Sequence, residues 1–269
     1  RQLHQLHVGE ISGYLMTGTD EANGCRMAGV KAVFVDLDDT LWWFSENTKT
    51  TLRHVYEAFG LAQWCDFARF DEVYERRNAE LWDLYHYGKI ERSYLLRERF
   101  EFTLRAIGAD SKKVGEGFAS LGEASDAMNE DYLHYLSGLP LLLPGAEDCL
   151  KYLRGRGYAV HVLSNGFKGV QMRKLRAGGI AQYIDELVLS DDCGITKPLP
   201  GIFDYALERA GASAAEVVMI GDNYDVDVLG AKQAGWRTVY FNWRGTEHSD
   251  GAPAADAVIS QLKEIERIL

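Results

Sequence analysis

The sequence predicts an α/β protein: a Rossmann-like parallel sheet covered by helices and interrupted after its first strand by an all-helical block. Three observations carry that reading. From Leu142 onward, short apolar strands alternate with amphipathic helices, the pattern of a parallel sheet covered on both faces. One further strand, Lys31 to Asp36, stands alone far upstream. Between the two, Ser45 to Ser137 contains no proline, all five prolines lying at Pro140 or later.

Taken in order, residues 1–26 come first. RQLHQLHVGEISGYLMTGTDEANGCR has mixed polarity, weak periodicity and no compact apolar run of the signal-peptide kind. It reads as a leader upstream of a start at Met27, or as an N-terminal arm packed on the body or a partner. The strand at Lys31 to Asp36 follows. In the proline-free block, FDEVYERRNAELWDLYHYGKI spaces Phe70, Val73, Asn78, Leu81 (with Trp82 beside it) and Tyr85 at steps of three to five, and ERSYLLRERFEFTLRAIG forms a second amphipathic run ended by Gly108. Beyond it, YAVHVLS, ELVLS, VVMIGD and TVYFN read as strands. AEDCLKYLRGRG, KGVQMRKLRAGG, IFDYALERAG and DVDVLGAKQAG read as the helices between them. The domain plan is an α/β core of 31–44 plus 142–269 and a helical insertion of 45–141.

Bulk composition excludes several classes. With 46% hydrophobic and 26% charged residues the chain is of ordinary globular make-up. A net charge of -11 argues against binding a nucleic acid polymer through a broad basic face. It leaves room for a small anionic substrate, because one metal ion and one lysine reverse the field locally. No stretch approaches the roughly 20 apolar residues of a membrane span. The four cysteines (Cys25, Cys65, Cys149, Cys193) are scattered and form no CxxC pair, which points to a reducing cytoplasm rather than a disulfide scaffold or zinc site. A monomer or a homodimer fits equally.

Ligands of open parallel sheets bind beyond the carboxyl ends of the strands, so the polar residues there carry the chemistry. Strand one ends in Asp36, Asp38, Asp39 and Thr40; the VLS strand in Ser164-Asn165-Gly166; ELVLS is followed by Thr196-Lys197-Pro198; VVMI runs into Gly221-Asp222, with Asp225 and Asp227 beyond. Four segments distant in sequence thus converge on one rim. Two like charges about 4 Å apart repel by roughly 4 kcal/mol at an effective dielectric of about 20, so the crowded aspartates require a compensating cation. Carboxylates and water are the natural ligands of Mg²⁺. With a metal, one carboxylate can attack phosphorus and a second can move protons to the leaving group and from water, while ammonium, hydroxyl and backbone N–H groups meet the equatorial oxygens.

DLDDTLW, LSNG, TKP and GDNYDVDVLGA resemble the four motifs of the haloacid dehalogenase (HAD) superfamily, and the strand–helix pattern extends the resemblance through nearly all of 31–269. The resemblance implies that Asp36 is the nucleophile and Asp38 the general acid/base. Ser164, Asn165 and Lys197 would hold the phosphoryl group. Asp36, the backbone carbonyl of Asp38 and Asp222 would bind Mg²⁺, with Thr40 ordering the loop and Asp227 in support. Asp39 receives no catalytic role. Dehalogenases of the superfamily lack an acid two positions after the nucleophile, so Asp38 implies phosphoester hydrolysis; mutases share the paired acids.

A helical insertion after strand one is the arrangement called a C1 cap. The stretch Tyr74…Asn78…Leu81-Trp82…Tyr85…Gly88-Lys89-Ile90, the following LLRERF, the aromatic pair Trp42-Trp43 and the LSNGF ending in Phe167 resemble the pyrimidine 5′-nucleotidase-like branch. Flat side chains beside a phosphate site can stack on a nucleobase; Trp42, Trp43, Phe44, Trp82, Tyr85 and Phe167 are the candidates, with core or hinge packing as the alternative for each. Asn78, on the helical face of Trp82, could bond a base edge. The expected activity is Mg²⁺-dependent 5′-nucleotidase action on pyrimidine nucleoside monophosphates, the alternatives being a phosphatase of phosphoglycolate or a sugar phosphate, a dehalogenase, or a non-catalytic ligand-binding member.

Overall fold

The computed structural model describes residues 26–248 and 255–269. The expected leader or arm lies outside these residues apart from Arg26.

Six parallel strands form one sheet. β1 (Ala32–Val35) lies between β2 (Ala159–Ser164) and β4 (Val217–Gly221); β3 (Glu186–Leu189) pairs outside β2, and β5 (Arg237–Phe241) and β6 (Ala257–Ile259) follow β4. The order is thus β3-β2-β1-β4-β5-β6. The chain moves to one side of β1 and then to the other, so a crevice opens beside the carboxyl end of β1. Alternation along β1 splits the core. Ala32 and Phe34 pack with Leu163 and Phe203 on one face, while Val33 and Val35 join Leu150 and Val162 on the other. Sequence reading missed β6, because three residues at a sheet edge are too few to show a period.

Four helices fill the interval between β1 and β2: α1 (Phe44–Ala58), α2 (Phe67–His86), α3 (Arg92–Ala106) and α4 (Leu121–Ser137). Asp66 caps α2 by accepting from Arg69 N–H at 2.9 Å, and Ser120 caps α4 by accepting from Glu123 N–H at 3.2 Å. Phe70, Tyr74, Phe100 and Tyr132 close the interior of this bundle. After it come α5 (Ala146–Gly155), α6 (Val170–Ala177), α7 (Ser190–Cys193), α8 (Pro200–Ala210) and α9 (Gly230–Gln233). The helix expected over DVDVLGAKQAG begins instead as a π-turn, Tyr224–Leu229, before α9. That wide turn brings Asp227 back beneath Gly221, where a Cβ would lie 2.2 Å from Asp227 Oδ2. Only glycine admits the carboxylate there.

The two connections between sheet and bundle pair with each other. Trp43 N–H donates to Leu141 O and Leu143 N–H to Leu41 O, both at 2.9 Å. Trp42 sits between them, fully buried, its indole N–H donating to Leu139 O at 2.9 Å. The expectation that Trp42 faces substrate is corrected: its ring is hinge packing. Among the described residues no helix is long and apolar enough to cross a membrane.

Candidate active site

A cavity of about 330 Å³ opens at the carboxyl ends of β1, β2 and β4. Asp36, Asp38, Ser164, Asn165, Lys197, Asp222 and Asp227 all line it, and Trp82 and Phe44 reach it from the helical side. The four strand-end segments therefore meet, as their positions in the sequence require.

Lys197 is the hub. Its side chain is almost wholly buried (the residue is 1% exposed), and its ammonium donates to Asp36 Oδ1 at 2.9 Å, Asp227 Oδ1 at 2.7 Å and Leu163 O at 2.8 Å. Burial opposes its charge, but Asp227 and Asp36 outweigh that and raise its pKa. Asn165 fixes the lysine's main chain: its amide N–H donates to Lys197 O at 2.8 Å and its Oδ1 accepts from Lys197 N–H at 2.7 Å. The Asn165 side chain thereby positions Lys197, while the residue also lines the cavity. Ser164 Oγ accepts from Gly166 N–H at 3.0 Å and from Gln171 Nε2 at 2.8 Å, so its proton points elsewhere. At Gly166 a Cβ would lie 2.2 Å from the Gln171 amide, which explains the glycine.

The three neighbouring aspartates have separate surroundings. Asp36 is bound to Lys197, yet burial and the charges of Asp227, Asp222 and Asp38 leave its pKa well above the usual carboxylate range. Asp38 accepts from Lys174 Nζ at 2.8 Å and from Gln171 Nε2 at 3.0 Å. Asp39, at φ 58°, turns away from both. It accepts from Ser45 N–H at 2.8 Å, from Ser45 Oγ at 2.6 Å and from Arg244 Nη2 at 2.6 Å.

Thr40 Oγ1 donates to Asp222 Oδ1 at 3.1 Å and accepts from Asp222 N–H at 3.2 Å, tying the two loops together. Arg244 Nη1 donates to Asp222 Oδ2 at 2.8 Å. Burial and Asp227 nevertheless push the Asp222 carboxyl up to about 7. Carboxylate oxygens of Asp36, Asp222 and Asp227 lie within 4.8 Å of one another. Such a set, held apart from water and short of positive charge, fits a hard divalent cation.

Several functional neighbours escaped sequence reading. Gln171 and Lys174 are three apart on α6 and present one face to Asp38; the signal was a buried lysine on the helix just after LSNG. Arg244 follows the carboxyl end of β5, where the strand-end rule applied to the earlier strands would have found it. His86 also lines the cavity, and burial followed by the Lys197 charge lowers its pKa to about 4, so it is neutral.

The aromatic candidates divide. Trp82 faces the cavity and stacks on Phe167 at 5.6 Å and 23°. Phe167 lines a smaller space beside it. Tyr85 stands edge-on to Trp82 and is absent from the cavity wall, and Trp43 packs edge-on to Trp243 at 6.1 Å. Asn78 is buried inside the bundle and likewise absent from the wall. Tyr85, Trp43 and Asn78 are thus corrected to packing positions, because their helical or hinge faces turn toward neighbouring elements.

A haloacid dehalogenase-like hydrolase family model matches residues 30–235. Pyrimidine 5′-nucleotidase YjjG of Escherichia coli is 30% identical over 239 residues, 88% of this chain and 96% of that protein. Glyceraldehyde 3-phosphate phosphatase of Methanopyrus kandleri is 30% identical over 238 residues, 88% of this chain and 94% of the other. Among solved structures, the magnesium-bound HAD-hydrolase YfnB of Bacillus subtilis superposes with a TM-score of 0.74 at 24% identity, covering 88% of this chain and 96% of that one. Its likeness concerns the fold, while the motif match and the two relatives reach the catalytic loops. The chain belongs to the haloacid dehalogenase-like hydrolases and is a phosphatase of that family.

Proposed function

We propose that the protein hydrolyses pyrimidine nucleoside 5′-monophosphates through an aspartyl-phosphate on Asp36. Asp36 would attack phosphorus as the bond to the leaving oxygen breaks, and Asp38 would give its proton to that alkoxide. Asp38 would then take a proton from the water that attacks the aspartyl-phosphate, releasing phosphate and restoring Asp36. Lys197 and the Ser164 hydroxyl meet charge on the phosphoryl oxygens. A Mg²⁺ ion fits Asp36, Asp222 and the Asp38 carbonyl, with Asp227 behind them, and supplies charge neutralisation. The helical block 45–141 acts as the cap over this rim.

The observation that carries the nucleotide reading is Trp82. Its ring lines the catalytic cavity and is braced by Phe167, leaving a flat apolar wall beside the phosphoryl position. The relatives named pyrimidine 5′-nucleotidase support the same class. A phosphatase of a small sugar phosphate is the second reading, favoured by the equally identical M. kandleri relative. Phosphate release from nucleoside monophosphates, phosphoglycolate and glyceraldehyde 3-phosphate, with Mg²⁺ and with EDTA, tests this. Pyrimidine nucleotides are expected to be turned over fastest, and EDTA to abolish turnover. Turnover of the small metabolites alone would replace the nucleotide reading with the second.

A further inference from the structure

A second, smaller cavity of about 30 Å³ lies directly behind the catalytic one and shares with it Asp38, Phe44, Trp82 and Gly166. Its far wall is formed by Arg99 of α3, Gln171 of α6 and Tyr132 of α4. It therefore sits where bundle and sheet meet, against Asp38.

Arg99 is 2% exposed, and its hydrogen bonds go to one acceptor: Nε donates to Asn129 Oδ1 at 2.9 Å and Nη2 donates to the same oxygen. Nη1 has no hydrogen bond among the described residues. The guanidinium lies 4.6 Å from the Tyr132 ring and 5.6 Å from the Phe100 ring, contacts that hold its plane but do not neutralise it. Its charge lowers the pKa of Glu75, against the burial that raises it, but among the described residues Arg99 makes no ion pair, its side-chain hydrogen bonds going to Asn129. A buried cation without a counter-charge is costly, and proteins normally pair it. Gln171, which lines the same space, is fully buried, its Nε2 spent on Asp38 and Ser164, and its Oε1 has no partner among the described residues. The cavity thus offers one unused donor group on a fixed positive charge and one unused acceptor, in a space that also borders Asp38.

We infer that Arg99 is a specificity residue that binds an acceptor oxygen of the leaving group, with Gln171 Oε1 taking a neighbouring O–H or N–H. This rests on the phosphatase reading above and deepens it. The ligand chemistry is a carbonyl, hydroxyl or carboxylate oxygen carried on the alcohol released by hydrolysis. A space of about 30 Å³ admits such an atom but not a ring. The flat part of a substrate stays in the larger cavity against Trp82.

The test compares wild type, Arg99→Met and Arg99→Lys on uridine 5′-monophosphate, glycerol 3-phosphate and phosphoserine, each against phenyl phosphate, which carries no oxygen beyond the scissile ester. Arg99→Met is expected to lose kcat/KM on at least one oxygen-bearing substrate about tenfold to a hundredfold more than on phenyl phosphate, the range set by one hydrogen bond to a charged group. The loss should fall mainly in KM, and Arg99→Lys should restore part of it. An equal loss on every substrate means that Arg99 is only packing and overturns the inference. If Arg99→Met does not fold by circular dichroism, Asn129→Leu, which frees the guanidinium but keeps its charge, is read by the same ratio. Binding of uridine, glycerol and serine by calorimetry keeps the inference apart from the nucleotide reading. Arg99-dependent binding of uridine without preferential turnover of uridine 5′-monophosphate upholds the subsite and sinks the nucleotide reading; preferential nucleotide turnover with no Arg99 selectivity does the reverse.

Discussion

Replacing Lys197 by methionine keeps the length of the side chain and removes the charge that two buried aspartates share. The ammonium lies 2.9 Å from Asp36 and 2.7 Å from Asp227, with side chains of Lys197 and Asp227 almost wholly out of solvent. At that range each contact is worth roughly 5–6 kcal/mol of Coulomb attraction at an effective dielectric of about 20, most of it offset by desolvation. Removing one partner leaves that desolvation uncompensated, so Lys197→Met should lose about 3–5 kcal/mol. Set against total stabilities of about 5–15 kcal/mol, this is a large fraction. It corresponds to a fall in Tm of roughly 6–20 °C for a chain of this size. Urea denaturation without metal measures it. The deficit should be greatest at pH 8 and shrink toward pH 5. The orphaned carboxyls would have folded-state pKa values above their unfolded ones, and protonation relieves them. Adding Asp227→Asn should recover part of the loss. A Lys197→Met protein within about 1 kcal/mol of wild type at pH 8, where a buried pair should matter most, would refute the assignment of Lys197 as the electrostatic hub.

Three further outcomes are expected. Asp36→Asn should abolish phosphate release while leaving the circular dichroism spectrum unchanged, and Asp38→Asn should slow both formation and hydrolysis of the phospho-enzyme in rapid-quench experiments; normal turnover by Asp36→Asn would remove the mechanism. Trp82→Ala should raise KM for a nucleotide at least several-fold more than for phenyl phosphate, and an equal rise on both would return Trp82 to packing. Burial and Asp227 raise Asp222 to about 7, and Asp36 is raised as well. The metal-free fold therefore holds protons that the unfolded chain has released, and its stability should fall as pH rises from about 4 through 7. Millimolar Mg²⁺ should then raise Tm more at pH 8 than at pH 6. The opposite order would mean that these carboxylates do not bind the ion.

The sheet and its rim were legible because both rest on local rules. A parallel strand buried on two faces must be apolar along its length, and the ligand-bearing residues must follow its carboxyl end. Asp36, Ser164, Lys197 and Asp222 obey that rule and were found by it. Asp227 was legible as a residue of the rim, but not the π-turn that brings it under Gly221. In that turn the two Asp227 carboxylate oxygens are bound by Lys197, 30 positions away, and by the N–H of Asn223, the residue that opens the turn. The aromatic residues were least legible. Trp42, Trp43, Trp82, Tyr85 and Phe167 look equivalent as letters, and which ring meets substrate depends on how the bundle docks.

By itself the sequence determined most of the succession of strands and helices and the place of the helical insertion, because these follow from periodicity, and the acids and lysine of the rim, because they follow strand ends; its four motifs carried the resemblance to the family. Tertiary structure alone decided the partners. It gave Asp36 to Lys197, Asp38 to Lys174 and Gln171, and Asp39 to Arg244 and Ser45. It also set Arg99 behind the cavity, with no ion pair among the described residues. These contacts join residues up to 205 positions apart. Their energies depend on distance and burial, which no run of neighbouring letters encodes.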